Sequence, residues 1–175
     1  MRKIEIDNCG IYFDSNGFAV IKYRFDGQKY KLTYVKRSKS PSIENLKALV
    51  TCLKPLNKIL INDSIVACQS LYDLGVKVDS KIIPVSKERL GEISIKDCFE
   101  TIKALLTDKK IEIDSEYKKV FSDSIKNFVI ESEEIDHLIF ALFYGLGIQF
   151  IEELKNQNRG RLYLANGGIS PCYWE

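Results

Sequence analysis

Four aspartates are the residues whose type and position could support chemistry in this sequence. Carboxylates that converge from different elements could hold Mg²⁺ or Mn²⁺, because these cations prefer oxygen ligands and retain several waters. Two such cations about 4 Å apart stabilise the attacking and leaving oxygens when a phosphodiester is hydrolysed. The candidate catalytic and metal-binding residues are Asp7, Asp14, Asp63 and Asp136.

Asp63 has the most informative position. It follows the apolar run 59–61, which is typical of a central buried strand, and it precedes a predicted helix. Ligands of α/β sheets bind outside the carboxyl ends of the strands, so Asp63 is the best candidate. The alternative is structural, because either Asp63 or Ser64 could cap the helix.

The first strand offers two candidates. Apolar residues alternate with polar ones up to Asp7, which predicts a strand that ends there, and Asp14 follows a second apolar stretch. Either aspartate could be the ligand from the opening strands. Each is also a common turn residue.

Asp136 lies in the predicted first turn of a long apolar helix, where its alternative role is to complement the helix dipole. Glu134 is a reserve ligand, and Asp114, which ends a possible short strand, is a weaker candidate. His137, the single histidine, is predicted to be a polar residue at a helix edge.

The hydrophobic pattern predicts the elements that must position these aspartates. Three antiparallel strands are followed by strand–helix–strand, which predicts parallel pairing and a mixed five-stranded sheet with helices on both faces. The fold class is therefore α/β, with a domain over 1–155 and a loop-rich tail over 156–175. The predicted elements are strands up to residue 13, at 18–25 and at 30–35, a helix from Ile43 to Leu53, a strand at 59–61, a helix capped by Gly75, a strand over 76–83, a helix over 94–106, a strand at 110–114, a helix over 117–128, a long helix capped by Ser132, and a short strand over 162–164.

Composition excludes several classes of protein. The 175 residues are 45% hydrophobic and 29% charged, which is ordinary for a soluble globular chain. Five scattered cysteines and one histidine argue against a disulfide framework or a zinc site and favour a reducing compartment. There is no signal-peptide core, and the longest apolar run, 138–148, is about half of a membrane span, so we expect neither secretion nor membrane association.

One segment is strongly basic although the net charge is only +2. Between residues 22 and 39, seven basic side chains accompany a single acid, Asp26. This pattern predicts a surface that follows a phosphate backbone, and its alternative is a solvated strand face. The basic residues are Lys22, Arg24, Lys29, Lys31, Lys36, Arg37 and Lys39.

Two segments carry a resemblance to a known family. Residues 59–78 combine an apolar strand ending in Asp-Ser with a helix ending in Leu-x-x-x-Gly, and residues 136–144 are similar to a final helix that reads Asp-His-x-x-Asp-Ala-x-x-Tyr. The meander from Ile4 to Arg37 is similar to the opening strands of the same family. Together they resemble the nuclease domain of viral, phage-type large terminase subunits, which belong to the RNase H-like, RuvC-like superfamily.

The resemblance implies an RNase H-like fold and a metal-dependent endonuclease that cuts double-stranded DNA during viral genome packaging. It implies a two-metal site with Mg²⁺ or Mn²⁺, held by Asp7 or Asp14, Asp63 and Asp136. A packaging motor domain, a portal or a small terminase subunit would be partners, in the cytoplasm or nucleus of a host cell. The chain departs from the family at Phe140, where the final helix often has Asp, and Asp136 one turn earlier could replace that residue.

Two other functions compete with the packaging nuclease. A Holliday-junction resolvase of the same fold would use the same acids on a different substrate. A catalytically degenerate module would bind nucleic acid or a capsid-assembly partner without cutting, and Phe140 favours that alternative.

Overall fold

Thirteen segments of regular structure are described in a computed structural model, which covers residues 7–53, 55–78, 81–86, 93–148, 150, 151 and 155. The predicted strand over 162–164 and the tail lie outside the described residues. In chain order the elements are β1 (Asp7–Asp14), β2 (Gly17–Phe25), β3 (Tyr30–Ser38), α1 (Ile43–Cys52), β4 (Leu56–Asn62), α2 (Ile65–Val78), β5 (Lys81–Val85), α3 (Ile95–Thr107), β6 (Ile111–Ile113), a 3-10 turn (Ser115–Tyr117), α4 (Lys118–Asn127), α5 (His137–Leu142) and a π-helical turn (Phe143–Gly147) that continues α5.

The strands form one mixed sheet in the order β5-β4-β1-β2-β3-β6. Strands β1, β2 and β3 are an antiparallel meander, whereas β4 pairs with β1, β5 with β4 and β6 with β3 in parallel. The predicted α/β class and mixed sheet are confirmed. The sheet has six strands rather than five because the short β6 joins the free edge of β3, where Tyr30 N–H donates to Lys110 O at 2.8 Å.

Each face of the sheet is covered by its own helices. Side chains alternate along a strand, so Ile11 and Phe13 pack with α1 and α2, while Tyr12 packs with α3, α4 and α5 on the other face. The helices bury the sheet on both sides, as parallel pairing requires. None of the helices in the described part of the chain has the length and hydropathy of a membrane span.

Two predicted helix ends are wrong. Gly75 does not cap α2, which continues to Val78, so β5 starts only at Lys81. A glycine inside a helix costs about 1 kcal/mol relative to alanine, too little to end a helix by itself. Ser132 does not cap the last helix, because α5 begins at His137.

The last helix lies unusually close to β1. Tyr23 Oη donates a 2.7 Å hydrogen bond to Gly145 O, within the π-helical turn. Gly10 of β1 faces the backbone of Gly145 and Ala141, where an added Cβ would lie within 2.9 Å of both. The absence of a side chain at Gly10 therefore allows α5 to approach the strand that ends at Asp14.

Candidate functional site

The ends of two central strands bring Asp14 and Asp63 to the same edge of the sheet. Strands β1 and β4 pair in parallel, with Ile11 opposite Ile61. Asp14 is the last residue of β1, and Asp63 directly follows β4. Adjacent strands are about 4.8 Å apart, so the two carboxylates leave from neighbouring positions. The two strands are neighbours in the sheet.

A buried amide fixes the two strand ends relative to each other. Asn62 is 4% exposed, and its Oδ1 accepts from Phe13 N–H at 2.8 Å while its Nδ2 donates to Phe13 O at 2.7 Å. The side chain thus continues the pairing of β1 and β4 beyond the backbone ladder. The only sequence signal for this role was a polar residue at the end of an apolar strand.

We expect Asn62→Leu to lower the free energy of unfolding by about 2–4 kcal/mol, because it leaves the buried N–H and C=O of Phe13 without partners. Urea unfolding of the purified protein measures this difference. Asn57→Leu is the matched control, since Asn57 is exposed and its hydrogen bond in the described part of the chain is a long one of 3.5 Å to Asn8. Equal losses for the two variants would contradict the role assigned to Asn62.

Asp63 does not cap the helix that follows it. Ser64 is the residue that caps α2, because its Oγ accepts from Ala67 N–H at 3.5 Å. Asp63 itself is exposed, and among the described residues no hydrogen bond or ion pair is made to it. The structural alternative for Asp63 is therefore removed.

Asp14 is held by the last helix. Its Oδ1 accepts from Asn16 N–H at 2.8 Å and lies 2.7 Å from His137 Nε2, while within the described ranges Oδ2 has no hydrogen-bond partner. Both side chains are largely buried, at 21% and 14% exposure for Asp14 and His137. The histidine at the first position of α5 therefore orients Asp14, a role that its predicted place at a helix edge did not indicate.

Asp136 is the N-cap of α5 rather than a residue of its first turn. Its Oδ1 accepts from Leu138 N–H at 3.0 Å and Ile139 N–H at 3.1 Å, and its Oδ2 lies 3.9 Å from Arg37 Nη1. One oxygen is thus used by the helix, and the other faces a guanidinium. The cap places Asp136 and His137 at the edge that carries Asp14.

The pKa of Tyr12 is affected by the charges at this edge of the sheet. Burial, and then the charges of Asp14 and Asp63, raise the pKa of Tyr12 to about 12, so its hydroxyl stays protonated at neutral pH. Its ring packs 5.1 Å from that of Phe140 and 5.7 Å from that of His137. Phe140, the departure from the terminase pattern, is therefore an aromatic contact of Tyr12 at the edge of the site.

Asp7 lies at the other end of β1. It is the first residue of that strand, so the prediction that it ends a strand is wrong. Asp7 and Asp14 are the two ends of an eight-residue strand, so at about 3.3 Å per residue step they lie roughly 23 Å apart. Asp7 is buried and forms ion pairs with Lys22 at 3.3 Å and Arg24 at 3.4 Å.

The two remaining candidate ligands, Glu134 and Asp114, lie in different parts of the fold. Glu134 is exposed in the turn before α5 and lines the groove described below. Asp114 follows β6, at the opposite edge of the sheet from β5. The structure therefore brings Asp14, Asp63, Asp136 and His137 to one edge and separates Asp7 and Asp114 from them.

The basic segment is divided between the two faces of the sheet. Lys36 is opposite Val20, which packs with α1 and α2, and Lys22 and Arg24 face the same side, where they neutralise Asp7. Lys31, opposite Arg24, shares that side, and Lys29 lies in the hairpin turn. Only the last part of the segment adjoins the candidate site.

Arg37 is that part. It pairs with Ala19 on the face of α5, and its Nη1 donates to Ser124 Oγ at 3.3 Å. A groove of about 390 Å³ opens beside it and is lined by Arg37, Lys39, Asp136 and His137 among others. This groove, which carries two basic side chains and the acids Glu134 and Asp136, thus leads to the edge that carries the carboxylates.

The donor set has the chemistry of a hard-cation site. Carboxylate oxygens suit Mg²⁺ and Mn²⁺, and both Asp63 and Asp14 Oδ2 lack a donor from the described chain. Within the same ranges, no three His, Cys, Asp or Glu side chains are close enough to share one metal ion. Within the described chain, Asp14 Oδ2 and the Asp63 carboxylate are the oxygens at this edge that could bind a cation.

No family model and no curated protein matches the sequence. Solved structures do match. The large terminase nuclease from thermophilic phage G20c has a TM-score of 0.62 at 11% identity, over 82% of each chain. The large terminase nuclease domain of bacteriophage SPP1 with bound Mn has a TM-score of 0.58 at 14% identity, over 82% of this chain and 86% of that one.

A third similar structure is the Fowlpox virus resolvase in complex with Holliday-junction DNA, at a TM-score of 0.57 and 12% identity. The match covers 83% of this chain and 98% of the resolvase. Identities this low establish the fold alone. The chain therefore has the RNase H-like fold shared by terminase nuclease domains and Holliday-junction resolvases, as its resemblance to the terminase family implied.

Proposed function

We propose that this protein is a metal-dependent DNA endonuclease whose centre is the pair Asp14 and Asp63. The observation that carries the proposal is the position of these two carboxylates at the ends of adjacent parallel strands, beside α5. In α/β sheets this edge is where ligands bind. Similar folds are those of nucleases that act on DNA, which supports the reaction class.

Asp14 Oδ2 and the Asp63 carboxylate would hold the cation. Bound there, Mg²⁺ or Mn²⁺ would stabilise charge on a backbone phosphate and provide a water of lowered pKa. Manganese bound in the similar SPP1 nuclease domain supports this choice of metal. His137 keeps Asp14 in place through Oδ1, which leaves Oδ2 directed to the ligand.

The remaining residues position substrate and helix. Arg37 and Lys39 would contact the DNA backbone in the groove beside α5, because cations that line a groove next to a carboxylate centre balance its repulsion of phosphate. Asp136 sets the start of α5 and thereby the place of His137. We therefore assign Asp136 to positioning and leave Asp7 out of the site.

Duplex DNA and a four-way junction are the two substrates to separate. The resemblance to terminases favours duplex DNA, with a packaging motor, portal or small terminase subunit as partners in an infected cell. A Holliday-junction resolvase is the second candidate, because the chain matches 98% of the Fowlpox virus resolvase but 82% of the G20c nuclease.

Digestion of supercoiled plasmid, linear duplex and a synthetic four-way junction tests the proposal. We expect cutting with Mn²⁺ or Mg²⁺ and none with chelator. Paired symmetric nicks confined to the junction would identify a resolvase, whereas cutting of all three substrates would identify a general duplex endonuclease. No cleavage of any substrate in Mn²⁺ would overturn the nuclease and leave the degenerate binding module.

We expect Arg37→Gln to reduce the slope of log affinity against log salt concentration for duplex DNA by about 0.9, the share of one phosphate contact. Fluorescence anisotropy in chelator measures binding without cleavage. Lys36→Gln is the matched control, because Lys36 is the adjacent residue on the opposite face of β3. If the two variants lower the slope equally, the charge of Arg37 contributes to DNA binding without a specific contact in the groove.

A further inference from the structure

A second cationic cavity lies at the other end of the sheet from the carboxylates. It has a volume of about 670 Å³ and lies between the β2–β3 hairpin and the turn from α3 to β6. Three lysines and three aromatic residues line it, with Asp108 as an acid among the lining residues. The six are Phe25, Lys29, Tyr30, Lys109, Lys110 and Phe150.

Phe25 presents a fixed aromatic face to this cavity. Phe25 is 52% exposed. The ring lies 4.8 Å from that of Tyr30, which is buried and in turn contacts the Phe150 ring edge-on at 6.3 Å. The buried tyrosine therefore holds an exposed ring in one orientation.

Backbone hydrogen bonds bring the lysines to the same cavity. Asp26 Oδ1 accepts from Lys29 N–H at 2.8 Å in the hairpin turn, and the Tyr30–Lys110 backbone bond joins that turn to β6. Lys109 has φ 55°, a left-handed conformation in which glycine is the usual residue. This conformation closes the C-terminus of α3, where Lys109 N–H donates to Leu106 O at 3.2 Å and Lys110 N–H donates to Leu105 O at 2.8 Å, so the helix end places both lysines at the cavity.

The charge of Lys29 interacts with that of Asp26, and Asp108 lines the same cavity, but neither acid forms a salt bridge with the three lysines in the described part of the chain. In the described part of the chain, none of the three lysines forms an ion pair. An adjoining cavity of about 430 Å³ shares Lys29 and Lys109 and adds Lys118, so the cationic surface extends past the first cavity. An aromatic ring beside lysines that form no ion pair in the described chain suits a nucleotide, whose base can stack on the ring while its phosphates contact the lysines.

We propose that this cavity binds unpaired nucleotides of single-stranded nucleic acid, with a base stacked on Phe25 and phosphates at Lys29, Lys109 and Lys110. The base must be unpaired because stacking on a side chain needs an open base face. Strand β3 runs for nine residues from this cavity to the candidate site, so the two sites are roughly 26 Å apart. The site does not depend on cleavage and stands without the proposed nuclease activity.

Anisotropy with a fluorescent oligo-dT 12-mer in chelator tests the site. We expect Phe25→Leu, which keeps an apolar side chain but removes the flat ring, to weaken binding about tenfold, the effect of one lost stacking contact. Tyr72→Leu is the control, since Tyr72 is 48% exposed on α2 and far from the lysines in sequence; its affinity should stay within twofold of the parent. An abasic oligomer of equal length should bind Phe25→Leu and parent equally.

The lysines are tested with the same probe. Replacing Lys29, Lys109 and Lys110 together by glutamine should flatten the salt dependence for oligo-dT by about 2, since each contact to single-stranded nucleic acid contributes roughly 0.7. Unchanged oligo-dT binding by Phe25→Leu overturns the proposal, as does parent protein that binds the abasic oligomer as tightly as oligo-dT. Equal displacement of oligo-dT by poly-glutamate would assign the cavity to acidic protein segments instead.

Discussion

Asp63→Asn should reduce metal-dependent cleavage about a thousandfold, because loss of a ligand removes several kcal/mol of charge stabilisation from the transition state. Asn is nearly the same size, and Asp63 makes no bond to the described chain, so the stability of the protein should not fall. Affinity for duplex DNA in chelator should be unchanged or slightly higher, since one repulsive charge near the phosphates is removed. Plasmid nicking rates, urea midpoints and anisotropy measure the three effects.

Three other aspartates make this prediction specific. Asp14→Asn should lose cleavage as severely as Asp63→Asn, whereas Asp73→Asn, on the exposed surface of α2, should cut like the parent. Asp7→Asn should retain cleavage but unfold more easily, because Lys22 and Arg24 lose the charge of their buried partner. Cleavage lost in Asp7→Asn and retained in Asp14→Asn would move the site to the other end of β1.

The variant Asp136→Asn distinguishes between two roles of Asp136, helix cap and metal ligand. Asparagine caps a helix as well as aspartate does, so the variant should fold normally and, on our assignment, cut within about tenfold of the parent. The resemblance to terminases implies the opposite, a loss like that of Asp63→Asn. A thousandfold loss at unchanged stability would return Asp136 to the ligands.

The sheet could be predicted because its signals are local. The Asn16-Gly17 and Asp26-Gly27 turns separate segments of period two, and the apolar run 59–61 has the pattern of a strand buried on both faces. Once strand–helix–strand implies parallel pairing, the carboxyl ends of β1 and β4 must share an edge. That topology predicts that Asp14 and Asp63 lie at the same edge.

The contacts within the site could not be predicted because they join distant segments. His137 meets Asp14 across 123 residues, and no spacing rule encodes that approach. Asn62 and Phe13 are 49 residues apart. The register shifts between Lys22 and Tyr23, which changes the face of Lys36 and Arg37 relative to a regular hairpin, whereas Lys31 stays opposite Arg24. The basic residues of this one segment therefore lie on two different faces of the sheet.

The last helix begins later than predicted because a second capping residue, Asp136, follows Ser132 by one turn. Ser132 followed by acids has the pattern of a helix N-terminus, and Ser132 Oγ does accept from Glu134 N–H at 3.1 Å. That bond closes a local turn. Asp136 then accepts from two N–H groups of α5, whereas Ser132 accepts from one, so the helix begins one turn later than the pattern suggested.

Gly10→Ala should lower the free energy of unfolding by about 2–3 kcal/mol, the usual cost of overpacking a rigid interior. The new Cβ would lie 2.8 Å from Gly145 Cα and 2.9 Å from Ala141 O. Both are backbone atoms, so neither can rotate away, and the helix must move as a unit. Gly145→Ala should cost a similar amount, because its Cβ would lie 2.9 Å from Gly10 Cα.

Gly147→Ala is the matched control on the same turn. Its Cβ would lie 3.5 Å from Cys98 Cβ, an ordinary contact, and alanine favours helical backbone, so its unfolding free energy should equal or exceed that of the parent. Urea unfolding monitored by circular dichroism compares the three variants. Because α5 carries His137 to Asp14, the displaced helix in Gly10→Ala should also slow cleavage under conditions where the variant remains folded. Full stability in Gly10→Ala would mean that α5 packs farther from β1 than the close approach of the two glycines requires, and His137 could then not reach Asp14.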